Sequence, residues 1–122
     1  MVVRTGVDAL EIRRVEEALR RYGDRFLRRV FTPEEVRRYH LRLPSLAARF
    51  AAKEAVSKAL GCGIGPVGWL EIEVLHDSDQ QPRLVLYGGA LRRAQSLGLK
   101  EWSVSLTHTQ ELAIAVVVGW GE

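Results

Sequence analysis

Ser45-Leu46-Ala47-Ala48-Arg49-Phe50-Ala51-Ala52-Lys53-Glu54-Ala55-Val56-Ser57-Lys58-Ala59-Leu60-Gly61 reads as one long helix, capped by Ser45 and stopped by Gly61. The pattern before it is mostly helical; after it the period changes to that of strands. Upstream, residues 2–7 read as a short strand. Ile12, Val15, Leu19 and Tyr22 recur at the spacing of one helix face, and Gly23 can end that helix. Residues 24–30 form another short helix. Thr32-Pro33-Glu34-Glu35 is a helix start, with a capping threonine, a first-turn proline and a glutamate three residues after the cap. That helix is expected to end before Pro44.

Downstream, residues 69–76 alternate, with Leu70, Ile72 and Val74 on one face. Residues 83–87 are a second short strand across a polar turn, and residues 90–97 a helix stopped at Gly98. Trp102, Val104 and Leu106 alternate with Ser103, Ser105 and Thr107, a strand pattern. Residues 112–120 are nearly all apolar, which predicts a strand buried on both faces. The order is β-αααα-ββ-α-ββ. It predicts an α+β fold: an N-terminal strand and helices, then a small, mainly antiparallel sheet with one further helix. At 122 residues the chain is expected to be a single domain over 1–122.

Apolar residues make up 47%, too many for a disordered chain. The lone Cys62 excludes an intrachain disulfide and a cysteine metal cluster. Arg4 and Asp8 interrupt any signal-peptide pattern, and the apolar run 112–118 is far too short to span a bilayer. A cytoplasmic protein with no membrane partner is expected, and its small size favours oligomerisation. The net charge of +3 is uneven. Residues 13–49 carry eleven arginines against five acids, whereas residues 50–122 carry six bases against eight acids. An anionic partner for the early segment, or merely a solvated arginine face, would account for this.

Glu54 and Lys58 are four apart and share a helix face with Ala47 and Ala51. Alone, the pair is an ordinary ion pair worth about 0.2–0.5 kcal/mol. Asp8, after Gly6-Val7, is on its own a helix cap. A strand-end carboxylate and a helix carboxylate together are a common oxygen set for magnesium, which keeps waters and binds phosphates. Gly61-Cys62-Gly63-Ile64-Gly65 holds two more glycines than a helix stop needs. Glycines let backbone amides approach a phosphate closely, although the lysine pattern of a P-loop is missing. His108 ends a strand, where a lone histidine is more often structural.

Taken together, Gly6-Val7-Asp8, the Phe50-to-Gly61 run, Gly63-Ile64-Gly65 and Ser105-Leu106-Thr107-His108-Thr109 resemble the holo-acyl-carrier-protein synthases, the small class of 4′-phosphopantetheinyl transferases. Ile12-Arg13-Arg14-Val15 and Arg25-Phe26 look like that family's first helices. The turn Asp79-Gln80-Gln81-Pro82 departs from the family's usual Asp-x-x-Gly-x-Pro. Leu10 stands where the larger two-repeat relatives carry another carboxylate, so a water must replace that ligand.

The resemblance implies transfer of the phosphopantetheine arm of coenzyme A to a serine of an acidic acyl carrier protein. It implies Asp8 and Glu54 as magnesium ligands, with Asp8, Glu54 and Lys58 as the catalytic set. Arg49 and Lys58 would contact phosphate oxygens, Gly61, Gly63 and Ile64 would offer backbone to the nucleotide, and His108 and Thr109 would bind the 3′-phosphate. Arg14, Arg25 and Arg29 would dock the carrier. A homotrimer with sites shared between subunits is also implied. Two rivals remain at this level: a module binding nucleic acid or an acidic protein, and a different magnesium-dependent nucleotide enzyme. The first explains the arginines but not the Asp8–Glu54–Lys58 set, so no nucleic acid partner is expected.

Overall fold

In the computed structural model, which describes residues 1–122, α4 (Leu43–Ala59) is the longest helix and lies across the main sheet. The chain runs through β1 (Val2–Glu11), α1 (Ile12–Tyr22), α2 (Asp24–Val30), α3 (Pro33–Tyr39) and then α4. After a 3-10 turn (Trp69–Glu71) come β2 (Ile72–His76), β3 (Pro82–Leu86), α5 (Gly88–Ser96), β4 (Glu101–His108) and β5 (Leu112–Gly121). The element order is the predicted one, and the fold is α+β. The strands form two antiparallel sheets: three strands in the order β1-β5-β4, and the β2-β3 pair. No helix is long and apolar enough to cross a membrane.

α4 is alanine-rich on the side it buries: Ala47, Ala48, Ala51, Ala52, Ala55 and Ala59 are all in the core. Small side chains let the helix come close to the sheet. The closest approach is at Gly6, where a Cβ would stand 1.9 Å from Ala55 O, so only glycine fits. Arg4 meets Ala59 further along, so α4 runs antiparallel to β1.

Three boundaries differ in ways that bear on the site. α4 begins at Leu43, before Ser45, because Pro44 in the first turn lacks only an N–H that has no intrahelical partner anyway. β1 continues past Val7 to Glu11, since β5 supplies a partner as far as Leu112. Asp8 is therefore inside a strand, opposite Ala115. Residues 69–71 are a 3-10 turn, because Glu71 turns back to accept from the Gly68 and Gly89 amides at 2.7 Å each. Leu70 consequently leaves the face of Ile72 and Val74 and is exposed.

β5 is buried on one face only. Ala113, Ala115 and Val117 lie under α4, whereas Val116 is 42% exposed. Its neighbours on the outer face, Val3 and Val7 of β1, are 54% and 57% exposed. In the single chain this apolar face has no cover.

A buried polar knot ties α3, α4 and β2 together. Thr32 and Glu35 form the reciprocal cap of α3. Glu35 Oε1 also accepts from Lys53 Nζ at 2.7 Å, and Oε2 accepts from Val74 N at 2.9 Å. Lys53 donates further to Trp69 O and Ile72 O, at 3.0 and 2.7 Å. Both side chains are fully buried with every polar atom satisfied, which is the condition for tolerating ions in a core.

Candidate active site

On β1, even-numbered residues face α4, and Asp8 follows Gly6 on that face. Lys58 Nζ donates to Asp8 Oδ1 at 2.8 Å and to Val7 O at 3.1 Å. Glu54, one turn earlier on the same helix face, is half-buried. Its carboxyl is raised above the usual glutamate range, first by burial and then by the charge of Asp8, with Lys58 opposing. Two carboxylates and an ammonium from elements 46 residues apart are thus gathered at one mouth of the α4–β1 seam.

There is no group of three or more His, Cys, Asp and Glu side chains that could hold a metal. Two carboxylates whose charges oppose each other still suit a hard divalent cation that retains waters and takes further oxygens from a phosphate. Asp8 and Glu54 fit magnesium in this sense.

The loop after α4 turns on three glycines in the left-handed region, Gly61, Gly63 and Gly65, with φ of 74°, 71° and 132°. Ser57 O accepts from the Cys62 and Gly63 amides, both at 3.2 Å. The Ile64 amide donates to no acceptor of the chain.

His108 and Thr109 are not brought to Asp8 within one chain. His108 pairs with Ala113 on β4, with β5 between it and β1, a separation of about 10 Å across two strand spacings. His108 is exposed, and its recorded hydrogen bond runs from Nδ1 to Thr109 O at 3.2 Å. Thr109 Oγ1 accepts from the Glu111 and Leu112 amides, which shapes the β4–β5 turn.

Arg49 also stands apart from the set. It is nine residues before Lys58 and therefore projects from the opposite side of α4. The residue is 1% exposed, and its guanidinium lies 3.5 Å from the Tyr39 ring centroid. Nε donates to Val74 O at 2.8 Å, Nη1 to Ser45 O at 3.2 Å and Nη2 to His76 Nδ1 at 2.7 Å. In this chain the fork fastens β2 to α4, in place of the phosphate contact expected beside Lys58. Burial and the adjacent Arg49 charge hold the His76 imidazole below its ordinary pKa, consistent with a neutral ring accepting from Arg49.

Arg14 is exposed on α1. Arg25 and Arg29 of α2 flank a cleft lined by Tyr22, Phe26, Val30, Phe50 and Trp69. Its rings are in contact: Phe50 and Trp69 centroids are 4.7 Å apart, Phe26 and Phe50 6.3 Å. The sequence analysis names Arg25-Phe26 and Phe50 only within family motifs and gives these aromatics no role beside the arginines expected to dock the carrier. A usable signal existed, since Phe50 lies four residues before Glu54 and so on the same helix stripe.

A model of the 4′-phosphopantetheinyl transferase superfamily matches residues 4–117. The chain is 50% identical to the holo-[acyl-carrier-protein] synthase of Herpetosiphon aurantiacus, over 96% of this chain and 98% of that protein. It is 55% identical to the synthase of Dehalococcoides mccartyi, over 93% and 95%. Among solved structures it resembles the Helicobacter pylori synthase in complex with coenzyme A, with a TM-score of 0.86, 32% identity and coverage of 95% and 99%.

Proposed function

This chain belongs to the 4′-phosphopantetheinyl transferase superfamily, among the holo-acyl-carrier-protein synthases, and from that footing we propose how its own residues carry out the transfer. The carrying observation is the meeting of Asp8, Glu54 and Lys58 at the α4–β1 seam. A serine hydroxyl of the apo carrier attacks the β-phosphorus of coenzyme A. The pyrophosphate bond breaks, the phosphopantetheine stays on the serine, and adenosine 3′,5′-bisphosphate leaves. Asp8 and Glu54 would hold magnesium, which when bound would cancel charge on the pyrophosphate. Glu54, directly or through a water, takes the serine proton. Lys58 turns its ammonium from Asp8 to a phosphate oxygen. Gly61, Gly63 and Ile64 present backbone to the nucleotide.

The reading assigns the carrier to the α1–α2 face. Arg14, Arg25 and Arg29 attract its acidic helices, and the aromatic cleft between the last two gives an apolar side chain a seat. Arg14→Glu with Arg25→Glu is expected to raise the KM for carrier several-fold and leave that for coenzyme A unchanged. Added salt is expected to weaken wild-type docking as well. Steady-state kinetics with each substrate varied in turn check this; equal carrier kinetics remove these residues from the docking face.

His108 and Thr109 enter the site from a second copy. The uncovered face of β1 and β5 is where copies pack, and a homotrimer lets each chain give and receive a site half. Glu54→Ala and His108→Ala are each expected to be weakly active alone, and co-refolded mixtures are expected to regain part of the activity. Mixed trimers no better than their components rule out shared sites, as does a fully active monomer in sedimentation.

Coenzyme A and an acyl carrier protein as substrates support a cytoplasmic enzyme that serves fatty-acid biosynthesis. Mass spectrometry of an apo carrier incubated with coenzyme A, magnesium and this protein tests the activity. One phosphopantetheine added per carrier is expected. An unmodified carrier, together with tight and steeply salt-dependent RNA binding, points instead to a nucleic-acid module.

A further inference from the structure

Two arginines outside the acidic set converge on the end of α4. Arg4 of β1 donates from Nη1 to Ala59 O at 3.3 Å, and Arg93 of α5 donates from Nε to Leu60 O at 2.8 Å. The last carbonyls of a helix have no intrahelical partner. Here the Cys62 and Gly63 amides take Ser57 O, and the Gly61 amide takes Lys58 O. The remaining two, on Ala59 and Leu60, are met by side chains from other elements. Two positive charges at a helix C-terminus also oppose the dipole there.

In the loop that follows, Cys62 and Ile64 pack partly against the core and the Gly65 amide donates to Val67 O at 2.9 Å. With Gly61, Gly63 and Gly65 at positive φ, its backbone is intrinsically permissive. A Cβ at Gly63 or Gly65 would meet nothing within 4 Å, so no neighbour packs on the loop at those two positions. At Gly61, by contrast, a Cβ would lie 3.3 Å from Arg4 Nη1 and 3.9 Å from Arg93 Nη2. Both guanidinium groups therefore stand at the root of the loop. The α5 side of this clamp is itself fixed, because Glu71 accepts from the Gly89 amide at the start of α5.

We infer that Arg4 and Arg93 are positioning residues that hold the Gly61–Gly65 loop in its nucleotide-accepting shape. The inference rests on the transferase reading for the word nucleotide, and on geometry alone for the clamp. Neither arginine is in contact with Asp8, Glu54 or Lys58; each acts by fixing where α4 ends and so where the Ile64 amide points.

Arg4→Leu and Arg93→Leu, singly and together, and Arg93→Lys test it in the full chain. In the double variant, amide hydrogen exchange across residues 61–65 is expected to quicken by about tenfold or more, the scale set by losing two charged hydrogen bonds. Exchange through residues 46–57 is expected to stay slow. The KM for coenzyme A is expected to rise about tenfold, with kcat and the KM for carrier unchanged. Arg93→Lys, which keeps a donor and the charge, is expected to retain most of the wild-type value. A merely structural role would lower the thermal midpoint and worsen both substrates alike.

Unchanged exchange at 61–65 in the double variant overturns the clamp, as does an equal loss for both substrates with the loop no faster. If the double variant does not fold, the two single variants carry the same exchange comparison. A wild-type protein that modifies no carrier sinks the transferase reading by itself; the exchange result still decides whether the arginines hold the loop.

Discussion

Glu54→Gln is expected to reduce turnover on the order of 10²–10⁴-fold, the range for removing a positioned acid–base group. The physical reason is the double duty of this carboxylate. In the proposed transfer it takes the serine proton and is one of two charged oxygen donors for the cation. Glutamine has the same shape and neither property. Because Glu54 is half-buried at the edge of the seam, the thermal midpoint should change little. Asp8→Asn should behave alike, since it also leaves Lys58 without its 2.8 Å partner. Chelation should abolish wild-type activity, and magnesium or manganese should restore it. Carrier modification followed by mass spectrometry reads all three; near-wild-type turnover of Glu54→Gln at limiting magnesium, or activity that survives chelation, refutes the assignment.

Lys53→Met is expected to have the largest effect on stability, about 3–5 kcal/mol, because it strands the buried Glu35 carboxylate without a counter-charge. For a chain of this size that is a fall in thermal midpoint of more than about 10 °C. Methionine is close in length to lysine, so the loss reports charge more than cavity. Adding Glu35→Gln should recover part of it, since the amide oxygen can still accept from one of the two backbone amides that Glu35 now serves. Thermal unfolding of the single and double variants checks this. A single variant that melts with the wild type, or a double variant worse than the single, shows that the ion pair does not hold this junction together.

These adjacent residues, Lys53 and Glu54, show where the sequence stops speaking. Their spacing on a helix was legible, and so was the resemblance carried by the run around them. Which of the two would enter the core was not. Lys53 and Lys58 look equally free to ion-pair in the sequence; in the fold one is fully buried and the other reaches Asp8 from an exposed position. The same holds for Arg49, whose donors are spent inside the chain, and for Arg4 and Arg93, which no local pattern singled out.

What the sequence determined by itself was local or periodic: the helix faces, the capping box at Thr32, the alternation of β4 and the order of elements. Such features depend on residues within a few positions of one another, so spacing encodes them directly. The tertiary structure alone decided the length of β1, the turn at Trp69–Glu71, the single buried face of β5 and the gathering of Asp8 with Glu54 and Lys58. Each of these depends on a partner far along the chain. β5 extends β1 past Asp8, Glu71 bends back to the start of α5, and α4 can settle on β1 only because Gly6 leaves room for Ala55 O.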